Sequence, residues 1–208
     1  MTGPKTGKRA HWESIYEEKP LESRGWYQPV PLHSLHLIEQ CGLQPGMAII
    51  DIGGGDSLLV DNLLDKGFQN ITVLDISASA LERARQRLGE KGGIVDWVQC
   101  DVTTFSPSHK FHVWHDRAAF HFLLEPGEIQ AYMQVLRSCI EPGGYVILGT
   151  FSEMGPRTCS GLPVHQYNPN TMSALFLPDF DVMDLKYADH FTPSGTRQHY
   201  IFGRFRKK

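Results

Sequence analysis

"IIDIGGGDSLL", residues 49–59, is the stretch that decides the fold. An apolar run ends in Asp51, three glycines follow, and Asp56 and Ser57 precede the next apolar pair. A short apolar run bounded by turn residues reads as a strand buried on both faces. A glycine turn straight after it, leading into a helix, sits where open α/β sheets bind ligands, beyond the carboxyl ends of the strands. The turn is not the G-x-G-x-x-G of dinucleotide sites, because Leu58 stands where the last glycine belongs.

The rest of the chain alternates around this stretch. "LHSLHLIEQ" (32–40) has helical spacing and stops at Gly42. "MAIIDI" (47–52) is the first strand, and residues 57–66 read as a helix closed by Gly67. "NITVLDI" (70–76) is a second strand, and the helix after it has a capping-box signature at Ser79-x-x-Glu82. "IVDWVQCD" (94–101) and "FHVWHD" (111–116) are strands three and four. Residues 128–140 place Ile129, Tyr132, Met133, Leu136 and Ile140 on one helical face, "PGG" breaks that helix, and "YVILGTF" (145–151) is strand five. Alternating strands and helices imply a parallel sheet with right-handed crossovers. The last two strand-like runs are joined by "PSG", which leaves no room for a crossover helix, so they pair antiparallel. The fold class is α/β: a Rossmann-like three-layer sandwich whose seven-stranded, mostly parallel sheet ends in an antiparallel strand. Residues 1–44 read as an aromatic-rich flap and helix before a ligand-binding unit over 45–208, within one structural domain.

Composition sets outer bounds. The chain has 208 residues, 41% hydrophobic, with a formal net charge of −3. Nucleic-acid binding calls for a basic surface, and only the terminal "RFRKK" is locally basic. No apolar run reaches a membrane span of ~20 residues. The N-terminus has no apolar core of a secretory signal, and Cys41, Cys100, Cys139 and Cys159 form no C-x-x-C. A cytoplasmic protein with reduced thiols is expected.

Four strands finish in aspartate at one sheet edge: Asp51, Asp75, Asp101 and Asp116. One such residue is ordinary turn chemistry, whereas four together mark a ligand site. Asp75 stands about 20 residues past the glycine turn, where an acid accepts hydrogen bonds from ribose hydroxyls. A pyrophosphate would lie on the helix N-terminus, and Asp56 in that turn would repel it. NAD is therefore disfavoured, and a phosphate-free nucleoside is preferred.

"DIGGGDS", "VLDIS", "QCDV", "HDRAAFHFL" and "EPGGYVIL", in this order, resemble the motifs of the class I S-adenosylmethionine-dependent methyltransferases. The resemblance covers about residues 45–208. It implies S-adenosylmethionine as cofactor, held by Asp51, Gly53, Gly54, Gly55 and Ser57 on the loop. Asp75 and Ile76 would hold the ribose, Asp101 and Val102 the adenine, and His115 would stand at the fourth motif. Ser57 in the third glycine's place is similar to a subset that includes some protein-lysine methyltransferases, as is "HWESIYEEK" followed by "GWY". The aromatics before strand one, Trp12, Tyr16, Trp26 and Tyr27, offer ring faces to a sulfonium cation.

Around the fourth motif, His121 is the candidate base, with Asp116 and Arg117 beside it. Arg117 could pair with a carboxylate of cofactor or substrate, or with Asp116. The long segment 152–170 carries Cys159, His165 and Tyr167 and reads as the acceptor-side wall. His109, His112, His115 and His121 lack a compact zinc pattern, so no metal is expected. The methyl acceptor is a small molecule by preference. A protein lysine is the alternative, and a catalytically silent cofactor-binding module that serves a partner is the rival of another class.

Overall fold

The computed structural model describes residues 5–18 and 20–208; the remainder of the flap region, residues 1–4 and Lys19, lies outside them. Seven strands form one sheet: β1 (Ile49–Ile52), β2 (Ile71–Asp75), β3 (Val95–Gln99), β4 (Phe111–Arg117), β5 (Ile140–Phe151), β6 (Phe180–Phe191) and β7 (Arg197–Lys207). Their order is β3-β2-β1-β4-β5-β7-β6. β7 pairs antiparallel with both β5 and β6, while the pairs among β1–β5 are parallel. The expected class, six strands one way and a C-terminal strand against them, is the observed one.

Every residue of β1 and β2 is buried, so these strands are covered on both faces. Ile50, Ile52 and Trp114 face one layer, packed with Tyr132, Met133 and Leu136 of α5 (Pro126–Cys139) and Phe176 of α6 (Pro169–Phe176). Ile49, Val73 and Val113 face the other. There they meet α2 (Leu32–Glu39), α3 (Leu59–Asp65) and α4 (Ala78–Leu88), through Leu35, Leu63 and Leu81. The chain runs from β1 outward to β3, then returns to β4 on β1's other side. That reversal opens a crevice between the carboxyl ends of β1 and β4, with Asp51 opposite His115 in the register.

Three local expectations are corrected. The helix after β2 is capped by Ser77, whose side chain accepts from Ala80 N–H, and not by a box at Ser79 and Glu82. Glu82 instead accepts from Gln86, and the remaining cap comes from Glu13 of α1 (Lys5–Glu18). Glu13 accepts from the N–H of Ala78 and Ser79 and from the hydroxyls of Ser77 and Ser79. A carboxylate belongs at that positive helix end, and this one arrives from 65 residues away.

Strand five begins directly after the helix at Ile140, takes in "PGG", and shifts register between Phe111 and Val113 before Tyr145. Gly144 permits this, since a Cβ there would lie 3.0 Å from the His112 carbonyl oxygen. Two helices, α1 and α6, fall in stretches to which the sequence alone assigns no element. For α6 the signal is present in the sequence. Asn168 caps it, Thr171 reciprocates, and Pro169 takes the first turn.

Candidate active site

The turn after β1 forms the floor of a cleft. Gly53 and Gly55 have φ of +62° and +50°, the left-handed region where a side chain is strained. Close approach adds a second reason: a Cβ on Gly53 would lie 2.5 Å from Ala119 Cβ, and one on Gly55 would lie 2.2 Å from the Tyr16 hydroxyl. Ser57 Oγ accepts from Leu59 N–H at the start of the following helix.

Three carboxylates converge on this cleft from the ends of successive strands: Asp51, Asp75 and Asp101. Asp51 Oδ1 lies 2.7 Å from His115 Nδ1, and His115 Nε2 lies 2.8 Å from Ser34 Oγ on α2. All three residues are buried, so a continuous chain of hydrogen bonds fixes the Asp51 carboxylate. Asp75 accepts from Ser77 N–H at 2.8 Å. Burial is the main force pushing its carboxyl up to about 7, and the charges of Asp56 and Asp51 add to it. Asp101 accepts from both the backbone N–H and the hydroxyl of Thr103. Ile76 and Val102 supply apolar wall beside these acids.

The roof is aromatic. Trp12 and Tyr16 of α1, with Trp26, line the cleft from above. Trp12 meets Phe122 edge-on at 4.9 Å between ring centroids, and Trp26 at 6.4 Å. The roof is fastened by a buried charge cluster. Arg24, 3% exposed, donates to the carbonyls of Ile15 and Tyr16, lies 5.0 Å from the Tyr16 ring centroid, and has Nε 4.0 Å from Asp56 Oδ2. Arg83 Nη2 reaches the same oxygen at 3.0 Å. Asp56 does not line the cleft; its carboxylate sits in this arginine cluster, 1% exposed. The expected repulsion of a pyrophosphate by Asp56 therefore loses its geometric basis, and the residue instead ties the roof to the glycine turn.

The structure brings most of the expected residues to one place. Trp12, Trp26, Asp51, Gly53, Gly54, Ser57, Asp75, Ile76, Asp101, Val102, His115, Arg117 and Cys159 all line the cleft. Gly55 lies just beneath Tyr16 and outside the lining. Tyr27 is outside as well, with its N–H bonded to the Arg24 carbonyl.

Around the fourth motif the placement differs from expectation. His121 is fully buried away from the cleft, accepts from Phe151 N–H at 3.3 Å, and stacks near Phe151. Burial pushes its imidazole down to about 3, so it is a poor proton acceptor, and no acceptor molecule reaches it in this arrangement. Asp116 is also fully buried. It accepts from Ala119 and Phe120 N–H and from the Tyr132 hydroxyl, and so shapes the turn that carries Ala118 at φ +69°. Of the three residues expected on the acceptor wall, only Cys159 reaches the cleft. Tyr167 is 3% exposed in the core, and His165 stacks on it at 4.5 Å from the exposed side. Two further lining residues, Gln198 and Tyr200, come from β7. No local pattern could mark them, because only sheet pairing carries β7 alongside β5. Among the described residues no group of histidine, cysteine, aspartate or glutamate could hold a metal.

Residues 49–144 match a family model described as a methyltransferase domain. The matched stretch is 96 of the 208 residues, so the chain is similar to methyltransferase domains over less than half of its length. Among similar proteins, the eEF1A lysine and N-terminal methyltransferase of Bos taurus is 24% identical over 149 residues, covering 69% of this chain and 20% of that protein. The chain thus spans a fifth of the length of that relative. The ubiquinone biosynthesis O-methyltransferase of Pectobacterium atrosepticum is 26% identical over 141 residues, covering 68% and 56% of the two chains. The fold is shared with the N-methyltransferase NodS from Bradyrhizobium japonicum WM9, solved in complex with S-adenosylhomocysteine. Its TM-score is 0.67 at 15% identity, covering 93% of this chain and 90% of that one.

Proposed function

We propose that this protein transfers a methyl group from S-adenosylmethionine to a small-molecule acceptor. The observation that carries the reading is the convergence of Asp51, Asp75 and Asp101 on one cleft beneath an aromatic roof.

The donor set fits the cofactor. Asp75 would accept the ribose hydroxyls, Asp101 the adenine amino group, and Asp51, fixed by His115, the ammonium group of the methionine part. The glycine turn is a cradle that any Cβ at Gly53 or Gly54 would fill, since the latter would lie 2.7 Å from Asp51 Oδ2. Bound there, S-adenosylmethionine would supply a methyl group activated by its sulfonium, with the thioether S-adenosylhomocysteine as the leaving group. The ring faces of Trp12, Tyr16 and Trp26 favour a cation by ~0.5–2 kcal/mol. The chain's own contribution is alignment and exclusion of water, and positioning alone can supply ~7–11 kcal/mol of barrier reduction. We assign no proton transfer to His121 or Asp116. We read residues 1–44 as an aromatic-rich flap and a helix that precede the 45–208 unit. We place the protein in the cytoplasm, a reading supported by four unpaired cysteines and by the lack of a membrane-spanning helix among the described residues.

Calorimetry with S-adenosylhomocysteine tests the cofactor directly. Micromolar binding is expected, and no heat at millimolar ligand would overturn the reading. Incubation of a lysate with methyl-labelled cofactor then separates acceptors. Label in the small-molecule fraction is expected, and label confined to protein would favour the lysine reading. Binding without any labelled product would favour a silent module.

A further inference from the structure

The cleft separates its charges. Its three acids stand at the ends of β1, β2 and beyond β3, on the side that takes the cofactor in the reading above. The other side, built by β4, β7 and the segment after β5, has no lining carboxylate among the described residues. It presents Arg117, Cys159, Gln198 and Tyr200. Lys8 at the rim is already paired with Glu128.

Arg117 is held in place and left incomplete. Its Nη2 donates to the Trp26 carbonyl at 3.0 Å, while Nη1 is buried and has no partner among the described residues. The adjacent Asp116 does not serve it, because both Asp116 oxygens are taken by the turn and by Tyr132. No ion pair within the described residues includes Arg117, although its charge is felt at Tyr200, His190 and Cys159. Gln198 Oε1, on the same wall, is likewise buried without a partner. A buried guanidinium hydrogen without an acceptor is costly, and guanidinium matches a carboxylate in shape and charge. Beside these groups Trp12, Trp26 and Phe122 give the cleft an aromatic, apolar lining that a flat ring can pack against.

We propose that the acceptor subsite takes an anionic small molecule, a planar compound carrying a carboxylate held by Arg117, and discriminates against ammonium groups such as a lysine side chain. A second hydrogen-bond donor on that molecule would satisfy Gln198 Oε1. The proposal rests on the methyltransferase reading, and its test keeps the two apart.

The probes are benzoate, benzamide and benzylamine, which share a ring and differ in charge. Each is titrated by calorimetry into the full chain saturated with S-adenosylhomocysteine. Benzoate is expected to bind at least tenfold more tightly than benzylamine, with benzamide between them. Arg117→Gln is expected to remove that preference. Benzylamine binding as well as benzoate, or no binding by any of the three, overturns the proposal on the unaltered chain alone. A fivefold or larger loss of S-adenosylhomocysteine affinity in Arg117→Gln also overturns it, because Arg117 would then serve the cofactor's own carboxylate. Failure of the unaltered chain to bind S-adenosylhomocysteine is a different result, which removes the methyltransferase reading itself.

Discussion

Replacing Asp75 by Asn should stabilise the fold and impair the site, each with its own pH dependence. Burial, with the neighbouring charges of Asp56 and Asp51, raises the Asp75 carboxyl from 3.8 to about 7. At about 1.4 kcal/mol per pKa unit, ionising it in the folded chain costs roughly 4 kcal/mol more than in the unfolded one. For an acid raised on folding, the contribution to stability is complete below 3.8 and is lost as pH rises to about 7. Asparagine cannot ionise, yet its side-chain oxygen still accepts from Ser77 N–H. In urea unfolding, Asp75→Asn should match the parent at pH 4 and exceed it by up to roughly 4 kcal/mol at pH 8. Ligand affinity should run the other way. A ribose diol needs the ionised acceptor, so S-adenosylhomocysteine binding to the parent should weaken about tenfold per unit below pH 7, and the variant should bind at least tenfold more weakly at pH 8. A variant that is less stable at pH 8, by an amount independent of pH, would refute the reasoning.

Three further outcomes are expected. Gly55→Ala drives a methyl against the Tyr16 hydroxyl at a left-handed φ, so the roof must shift. S-adenosylhomocysteine affinity should fall more than tenfold and the melting temperature should drop, and unchanged calorimetry would contradict the close approach. Asp56→Asn removes one buried carboxylate shared by the Arg24 and Arg83 guanidiniums. A loss of about 3 kcal/mol is expected, with faster proteolysis between residues 18 and 30 than elsewhere in the chain. His121→Gln should change stability but leave the pH dependence of methyl transfer above pH 5 as in the parent, because burial already keeps that imidazole uncharged there. Loss of an inflection near pH 6 to 7 would restore a base role.

The sequence by itself determined the sheet and the acidic side of the cleft. Apolar runs of strand length, glycines at turns and aspartates at strand ends are local signals, and the parallel arrangement brings successive strand ends to one edge whatever the packing details. Asp51, Asp75 and Asp101 therefore meet as read, and "NPNT" even carried a cap for α6 that could have been used. Tertiary structure decided what closes the cleft and what lines its far side. Glu13 caps a helix 65 residues ahead, Asp56 turns from the cleft into the Arg24 and Arg83 cluster, and Gln198 and Tyr200 arrive only through β7 pairing. It also took His121 out of reach. A histidine after a strand end looks the same in sequence whether its ring faces solvent or Phe151, and burial, which sets both its access and its proton affinity, is a property of the packed molecule.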